Sequence, residues 1–234
     1  MTMDKTTTNN YNGMTAADKA IFINNSIAKH GGKMLNIPSI STSALVNKFC
    51  TSCNGCGLAA TGKCYAKKYL KMRPTLAEKC ARNTAFYTAV NLNDNDIPHI
   101  NAAVARFESF GELENVQQLK NYCTIAWNNE HCNFSIWTKR PEIIKEYDRN
   151  GGILPDNLNI ILSSHAINKS DIDFYKSNYS GLFDAVFTVY TKEYAQKHNI
   201  KIDCVPGPGA CMKCGKCYSK AIRGQETEIN ELLK

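Results

Sequence analysis

Long hydrophobic runs are absent from this chain of 234 residues. No apolar stretch approaches the roughly 18–20 residues that a membrane-spanning helix needs, which argues against a transmembrane protein. The N-terminal segment MTMDKTTTNNYNGMTAADK is polar and lacks the hydrophobic core of a secretory signal peptide. We therefore expect a cytoplasmic protein in a reducing compartment, with no membrane partner.

Low-complexity linkers and useful internal repeats are also missing. Apolar residues make up 43% of the chain and charged residues 21%, a globular composition that argues against disorder. We predict a flexible N-terminal lead-in over residues 1–32 and a single α/β metal-binding domain over residues 33–234. Within the lead-in, Thr15 and Asp18 resemble a helix-capping pair, and Thr75 with Glu78 predicts a similar cap further on.

Cysteine, by contrast, is abundant, with eleven residues. Eight of them form two groups: the first group is Cys50, Cys53, Cys56 and Cys64, and the second group is Cys204, Cys211, Cys214 and Cys217. A reducing compartment disfavours stable disulfides, whereas closely spaced cysteines can aim several sulfurs at one point. Both groups therefore predict metal binding. Cys80, Cys123 and Cys132 lie in apolar patterns and are predicted to pack in the core.

The spacing within the groups bears on which metal is bound. Each group contains a C-x2-C-x2-C run, which is typical of [4Fe–4S] ligation because successive sulfurs reach different irons of one cluster. Structural zinc more often uses paired C-x2-C knuckles from two hairpins. We expect one or two [4Fe–4S] clusters, with zinc as the alternative.

The net charge of +7 has three open interpretations. It can be a solvated basic surface, a footprint for nucleic acid, or a balance for the negative charge of metal-bound thiolates. The densest basic run follows the first cysteine group directly and consists of Lys63, Lys67, Lys68, Lys71 and Arg73.

Six short β-like runs alternate with helical stretches after residue 33. The predicted strands are Met34–Ile40, Val104–Glu108, Phe134–Trp137, Leu158–Ser163, Ala185–Val189 and Ile202–Val205. Helical crossovers between strands indicate a parallel sheet, and both a doubly wound sheet and a barrel fit. Polar residues follow each strand, which favours a barrel. We predict an α/β fold, a six-stranded parallel (β/α)6 partial TIM-type barrel, with the cysteine clusters at the carboxyl ends of strands 1 and 6.

Three candidate ligand-binding residues follow the second predicted strand. Ser109, Gly111 and Glu112 form either an ordinary turn with an exposed acid or a binding point for the amino group of a ligand. In the second interpretation glycine allows close approach of the backbone, and the carboxylate accepts hydrogen bonds from the ligand.

Further candidates follow strands three and four. Lys139 and Arg140 are either solvated loop charges or a clamp for an anion. His165 is either structural, a proton donor or acceptor, or a metal ligand. Trp137 is predicted to belong to the core rather than to serve as a stacking platform.

Four segments carry a resemblance to a known family. FCTSCNGCGLAATGKCYA, RFESFGEL, FSIWTKRPE and CMKCGKCY resemble the phage "gene product 88" family, over roughly residues 33 to 220. The resemblance implies an origin in a phage or bacterial mobile element and no particular activity.

A more distant resemblance is to radical S-adenosylmethionine (SAM) enzymes. It implies a six-stranded partial barrel, with a cysteine loop after strand one and a Gly-Gly-Glu-like motif after strand two. Glu112 would then bind the SAM ammonium group, and three cysteines of the first group would hold the cluster. The usual C-x3-C-x2-C spacing is absent here. The second group would be an auxiliary cluster, an electron relay or a substrate anchor.

These observations predict a phage or mobile-element iron–sulfur protein, a radical SAM-like enzyme acting on a nucleotide, nucleic acid or peptide. The candidate catalytic residues are Glu112, Lys139, Arg140 and His165, and the candidate cofactor-binding residues are Ser109, Gly111 and Glu112. The alternative is a non-catalytic module, stabilised by zinc or closed clusters, that binds nucleic acid or a host protein. An electron-transfer protein is a third possibility.

Overall fold

Six parallel strands form the centre of the fold. A computed structural model describes residues 11–52 and 56–233. The strands are β1 (Ser39–Ile40), β2 (Val104–Phe107), β3 (Asn133–Thr138), β4 (Leu158–Ser163), β5 (Ala185–Tyr190) and β6 (Thr227–Leu232). Their spatial order is β1-β2-β3-β4-β5-β6, and every neighbouring pair is parallel. The predicted α/β class and six-stranded parallel sheet are confirmed, but the sheet is open, with β1 and β6 as its edges.

Ten α-helices occur in the described part of the chain. They are α1 (Ala16–Ser26), α2 (Lys48–Ser52), α3 (Gly57–Ala60), α4 (Tyr65–Lys71), α5 (Pro74–Tyr87), α6 (Val116–Trp127), α7 (Pro141–Arg149), α8 (Ile172–Tyr179), α9 (Lys192–Lys197) and α10 (Ala210–Cys214). Among these described helices, none has the length and apolar character needed to cross a membrane.

The two faces of the sheet have different neighbours. Phe107, Ile136 and Ile160 belong to the main core, together with buried residues of α1, α5, α6 and α7, and we call this side the helix face. Side chains alternate along a strand, so adjacent positions point the other way. Ile161 and Ala185 accordingly pack in a separate cluster with Cys204, Cys217, Trp137 and Phe187, and we call this side the cavity face.

The first strand is shorter than predicted. Only Ser39 and Ile40 form β1, whereas Gly32–Met34 forms a 3-10 turn. Asn36 has a φ of 69°, in the left-handed region that interrupts extended structure. Pro38 also lacks the amide hydrogen that a strand residue donates.

The predicted sixth strand is wrong. Ile202–Val205 has no regular structure, and the strand that pairs with β5 is Thr227–Leu232. The sequence of β6, TEINEL, alternates polar and apolar residues, and a strand at a sheet edge tolerates such charges because one side remains exposed. The second cysteine group therefore precedes β6 in the chain instead of following the sixth strand as predicted, although Cys204 contacts Asn230 near the carboxyl end of β6.

The segment that carries the second group folds over the cavity face. Asn159, the second residue of β4, donates its side-chain amide to the carbonyls of Cys217 (3.1 Å) and Ser219 (2.9 Å). The amide of Cys204 donates to the carbonyl of Asn230 in β6 at 3.1 Å. This segment is thus held by the sheet itself, by β4 at one end and β6 at the other.

Contacts outside the sheet join its two edges. Lys33, just before β1, forms a 2.6 Å ion pair with Glu231 of β6. The amide of Gly209 donates to the carbonyl of Gly32 at 2.9 Å. The gap between β1 and β6 is therefore spanned by side chains and loops, although the two strands do not pair.

Part of the expected N-terminal lead-in packs on the domain. Thr15 and Asp18 form the predicted capping box of α1. Ile23 is fully buried in the main core, and Phe22 stacks on Phe86 with ring centroids 4.0 Å apart. The predicted Thr75 cap is wrong, because α5 begins one residue earlier at Pro74 with Arg73 at its N-cap position. Cys80, Cys123 and Cys132 are buried, as predicted.

Replacement of Asn159 by alanine tests how the second cysteine segment is held. Asn159→Ala removes two donors from the carbonyls of Cys217 and Ser219, so we expect a loss of about 1–3 kcal/mol in the free energy of unfolding. Amide hydrogen exchange within residues 204–219 should accelerate. Asn178→Ala, at an exposed site in α8, is the matched control and should leave exchange in that segment unchanged. Equal exchange in the two variants would contradict this role of Asn159.

Candidate metal centre

The first cysteine group lies on three short helices. Cys50 is within α2, Cys56 immediately precedes α3, and Cys64 immediately precedes α4. Burial raises the pKa of the Cys50 thiol, and the nearby thiols of Cys64 and Cys56 raise it further. These three sulfurs are therefore close enough to interact. Cys53, the fourth member of the predicted group, lies outside the described residues.

The carboxyl ends of the strands surround this group. The amide of Gly57, next to Cys56, donates to the carbonyl of His165 after β4 at 2.8 Å. Lys139, after β3, donates its ammonium group to the carbonyl of Ser164. Burial lowers the pKa of Lys139, and the nearby thiols of Cys56 and Cys64 offset part of this shift. The structure thus brings the first group to the ends of β3 and β4, with the half-buried side chain of Lys139 beside it.

Glu112 joins the ends of two strands. Its buried carboxylate accepts hydrogen bonds from the Thr138 hydroxyl, the Leu113 amide (2.8 Å) and the Lys139 amide (2.9 Å). Burial is the main cause that raises its pKa. In this arrangement the carboxylate connects the end of β2 to the end of β3 and also lies close enough to influence Cys50.

Gly111 and Ser109 pack against other parts of the protein. A Cβ atom added at Gly111 would lie 2.2 Å from the Thr42 hydroxyl oxygen, so the backbone approach that requires glycine is toward the protein itself. The amide of Ser109 donates to the Ser41 hydroxyl at 2.8 Å, and its carbonyl accepts from the Tyr65 hydroxyl at 2.5 Å. The Ser109 hydroxyl is buried and has no hydrogen-bond partner.

Arg140 and His165 each contact a neighbouring carboxylate. The guanidinium of Arg140 pairs with Glu142 and donates to the Leu113 carbonyl at 3.2 Å. In His165, Nδ1 lies 3.0 Å from an Asp171 carboxylate oxygen, and that oxygen also accepts the His165 amide at 2.7 Å. Asp171 therefore favours the tautomer with hydrogen on Nδ1, which leaves Nε2 as the basic atom.

Glu108 is a buried acid that the sequence did not single out. It directly follows β2, has a φ of 59° and accepts hydrogen bonds from Thr42, Gln118 and Tyr122. Burial raises its pKa to about 8. These partners come from the loop after β1 and from α6, so Glu108 holds together the elements that carry the first group. The one sequence signal for Glu108 was its charge at the end of an otherwise largely apolar predicted strand.

In the second cysteine group Cys204, Cys211 and Cys217 are half-buried, and Cys214 is exposed. Burial raises the pKa of Cys204 to about 11 and that of Cys217 to about 12. Lys33 opposes this shift at Cys204, and Arg106 opposes it at Cys217. In the described part of the chain, no three His, Cys, Asp or Glu side chains are arranged to hold a single metal ion.

One cavity borders the second cysteine group and the loop that carries the first. Its volume is about 370 Å³, and Leu58, Lys63 and Tyr65 from the first cysteine loop form part of its wall. All four cysteines of the second group also line it: Cys204, Cys211, Cys214 and Cys217. Arg106 and Trp137 contribute from β2 and β3. Trp137 was expected in the core. Instead its ring lies at the cavity wall, stacked against the Arg106 guanidinium, whose carbon is 3.9 Å from the ring centroid.

Comparison with known proteins identifies one family. The sequence pattern of the gene product 88 family matches residues 4–227. No curated protein and no solved structure matches the chain significantly.

Replacement of Gly57 by alanine tests the contact between the first cysteine loop and the end of β4. A Cβ atom there would lie 2.7 Å from the His165 carbonyl oxygen, so the loop must shift. We expect Gly57→Ala to lower the free energy of unfolding by about 1–3 kcal/mol. Gly31→Ala is the control, since a Cβ atom at Gly31 meets nothing within 4 Å and its φ is −102°. Equal melting temperatures for both variants would contradict the contact.

The raised pKa of Glu108 predicts a pH dependence of stability. Its folded-state pKa of about 8 exceeds the ordinary value of 4.5, so between these values the unfolded chain releases a proton that the folded chain keeps. The contribution of Glu108 to stability is therefore fully present at low pH and decreases as pH rises toward 8. In Glu108→Gln this decrease should be absent.

Urea denaturation of the metal-free, reduced chain at pH 5, 6.5 and 8 measures this effect. The wild-type free energy of unfolding should decline more steeply with pH than that of Glu108→Gln. The exposed Asp173→Asn is the control, and it should keep the wild-type slope. Parallel curves for wild type and Glu108→Gln would show that Glu108 titrates normally.

Proposed function

The chain belongs to the gene product 88 family, and we propose that it is an iron–sulfur enzyme that acts on a molecule bound between its two cysteine groups. The observation that carries the proposal is the cavity of about 370 Å³, whose wall includes the first cysteine loop and all four cysteines of the second group. A volume of this size is typical of small-molecule sites.

The donor set at the first group suits an anionic cluster. Cys50, Cys56 and Cys64 supply three thiols, and Cys56 and Cys64 are near enough to Cys50 to raise its pKa. Thiolates are the usual ligands of iron–sulfur clusters. Lys139 is half-buried near two of them, and Lys67 donates to the Cys50 carbonyl at 2.6 Å. A fixed ammonium group beside the sulfurs offsets the negative charge that deprotonated thiols would carry.

Iron is favoured over zinc by the spacing of the second group. Cys211, Cys214 and Cys217 form a C-x2-C-x2-C run. Such a run is typical of a cubane cluster, in which successive sulfurs bind different irons. Structural zinc more often uses paired C-x2-C knuckles.

A radical SAM-like reaction is the finer form of this proposal. The open parallel sheet in sequential order, with the first group at the strand ends, supports a comparison with a partial barrel. A [4Fe–4S] cluster would supply one-electron reduction of bound SAM. Of this chain's residues, Lys139 would hold positive charge beside the cluster, and Nε2 of His165 would accept or return a proton. Glu112 would orient the SAM ammonium group after exchanging one of the three hydrogen bonds that its carboxylate accepts within the protein.

A non-catalytic nucleic-acid-binding module is the second candidate. The observation that favours it is the exposure of Lys68, Lys71 and Arg73 on and just after α4, directly beyond the first group. Exposed cations in a row attract phosphates without reading sequence. In that case the metal would be structural, and zinc would serve as well as iron.

Anaerobic reconstitution with quantification of iron, sulfide and zinc tests the proposal. We expect a brown protein, and we expect Cys64→Ala and Cys217→Ala each to lose about one cluster's share of the iron, because each removes a ligand of a different group. Cys132→Ala, which changes a cysteine buried in the core, is the control and should retain all the iron.

Addition of SAM and a reductant then separates the candidates. The enzyme should form 5′-deoxyadenosine, and the product should vanish in Cys64→Ala. A colourless protein with stoichiometric zinc would refute the iron–sulfur proposal and favour the module. An iron-loaded protein that forms no 5′-deoxyadenosine would refute SAM cleavage while leaving the cluster in place.

A further inference from the structure

The cavity between the cysteine groups has an unusually basic lining. Four cations contribute to its wall, namely Lys33, Lys63, Arg106 and Lys216, against the single acid Glu231. Two of these cations are paired: Lys33 with Glu231 at 2.6 Å, and Lys216 with Asp203 at 2.9 Å. Within the residues that the structure describes, Lys63 and Arg106 have no carboxylate partner. The cavity therefore has uncompensated positive charge.

Of Lys63 and Arg106, Arg106 gives the stronger indication of a bound ligand. It lies within β2, and its guanidinium is stacked on the Trp137 ring, 3.9 Å from the centroid. Its terminal nitrogens make two long hydrogen bonds of 3.5 Å, to the Met34 sulfur and to the Glu108 carbonyl. Its Nε is buried and has no acceptor. Because leaving a buried charged donor unsatisfied is costly, the position calls for an anionic acceptor.

The thiolates of the second group are an alternative source of negative charge. Arg106 is near enough to lower the pKa of Cys211 and Cys217, so a metal-bound second group would balance part of its charge. In the described part of the chain, however, Arg106 makes no hydrogen bond to a cysteine sulfur; its sulfur contact is with Met34. Charge balance at a distance does not supply the acceptor that Nε lacks.

We propose that the cavity binds a small molecule through a phosphate or carboxylate group, with Arg106 as its anion-binding residue. The planar guanidinium can donate to two oxygens of such a group at once, and Trp137 holds it flat for that contact. Lys63, on the first cysteine loop, supplies a second cation at the wall of the same cavity. The inference rests on the proposed function and adds to it that the substrate is anionic.

Isothermal titration of the metal-free full-length chain with pyrophosphate and with malonate tests this inference. The two probes distinguish a phosphate from a carboxylate as the preferred group. We expect one of them to bind at one site per chain, and Arg106→Gln to weaken it by at least about tenfold, because a charge-assisted bidentate contact is lost. Arg106→Lys keeps the charge but loses the planar guanidinium, so its affinity for the anion should lie between those of wild type and Arg106→Gln.

Arg82→Gln is the matched control. Arg82 is exposed on α5 and does not line the cavity, so the change removes the same net charge and should alter affinity by less than about twofold. Lys63→Gln changes an exposed residue, which protects the test against failure of Arg106→Gln to fold. It should weaken binding by a few-fold. Absence of binding to wild type, or equal losses in Arg82→Gln and Arg106→Gln, would overturn the inference.

Iron content of the same variants separates this inference from the proposed function. If the Arg106→Gln variant keeps its iron but loses anion binding, the result supports the anion site. Arg106→Gln that loses iron while anion binding is unchanged would mean that Arg106 serves the second cysteine group, and would overturn the inference. A wild-type chain that binds the anion but takes up no iron would refute the iron–sulfur proposal and leave the anion site standing.

Discussion

Two buried glutamates hold together the strand ends on which the first cysteine group depends. Glu108 accepts hydrogen bonds from the loop after β1 and from α6, and Glu112 accepts them from the end of β3. Carboxylates are costly to bury, and both have raised pKa values because of it. Their donors offset that cost only when β1, β2, β3 and α6 are correctly placed. The acids therefore couple the geometry of the candidate metal centre to the fold.

The cavity face of the open sheet must also be covered. A parallel sheet is normally covered on both sides, and here the helices cover one face while the segment with the second cysteine group covers part of the other. Asn159 and Asn230 provide the attachments. The uncovered remainder is the cavity. The proposed substrate site is the space that the second cysteine segment leaves between itself and the first cysteine loop.

The proposals combine into one chemical picture. A thiolate-rich centre at the strand ends needs nearby cations, and Lys139 supplies one beside the first group. Arg106 and Lys63 lie on the wall of the cavity, where their charge is available to a ligand. In these proposals the basic residues behind the net charge of +7 have different roles. The exposed Lys68 and Lys71 on α4 would attract an anionic ligand, whereas the half-buried Arg106 would orient it.

Local patterns in the sequence determined much of this protein. The capping box at Thr15, the apolar run of β4 and the burial of Cys123 follow from propensity and hydrophobic periodicity, which act between near neighbours. Tertiary structure alone decided the rest. TEINEL becomes β6 because it pairs with β5, and Arg106 becomes a cavity residue because Trp137 arrives from another strand. Such partners lie far apart in the chain, and only folding brings them within the few ångströms at which hydrogen bonds and stacking act.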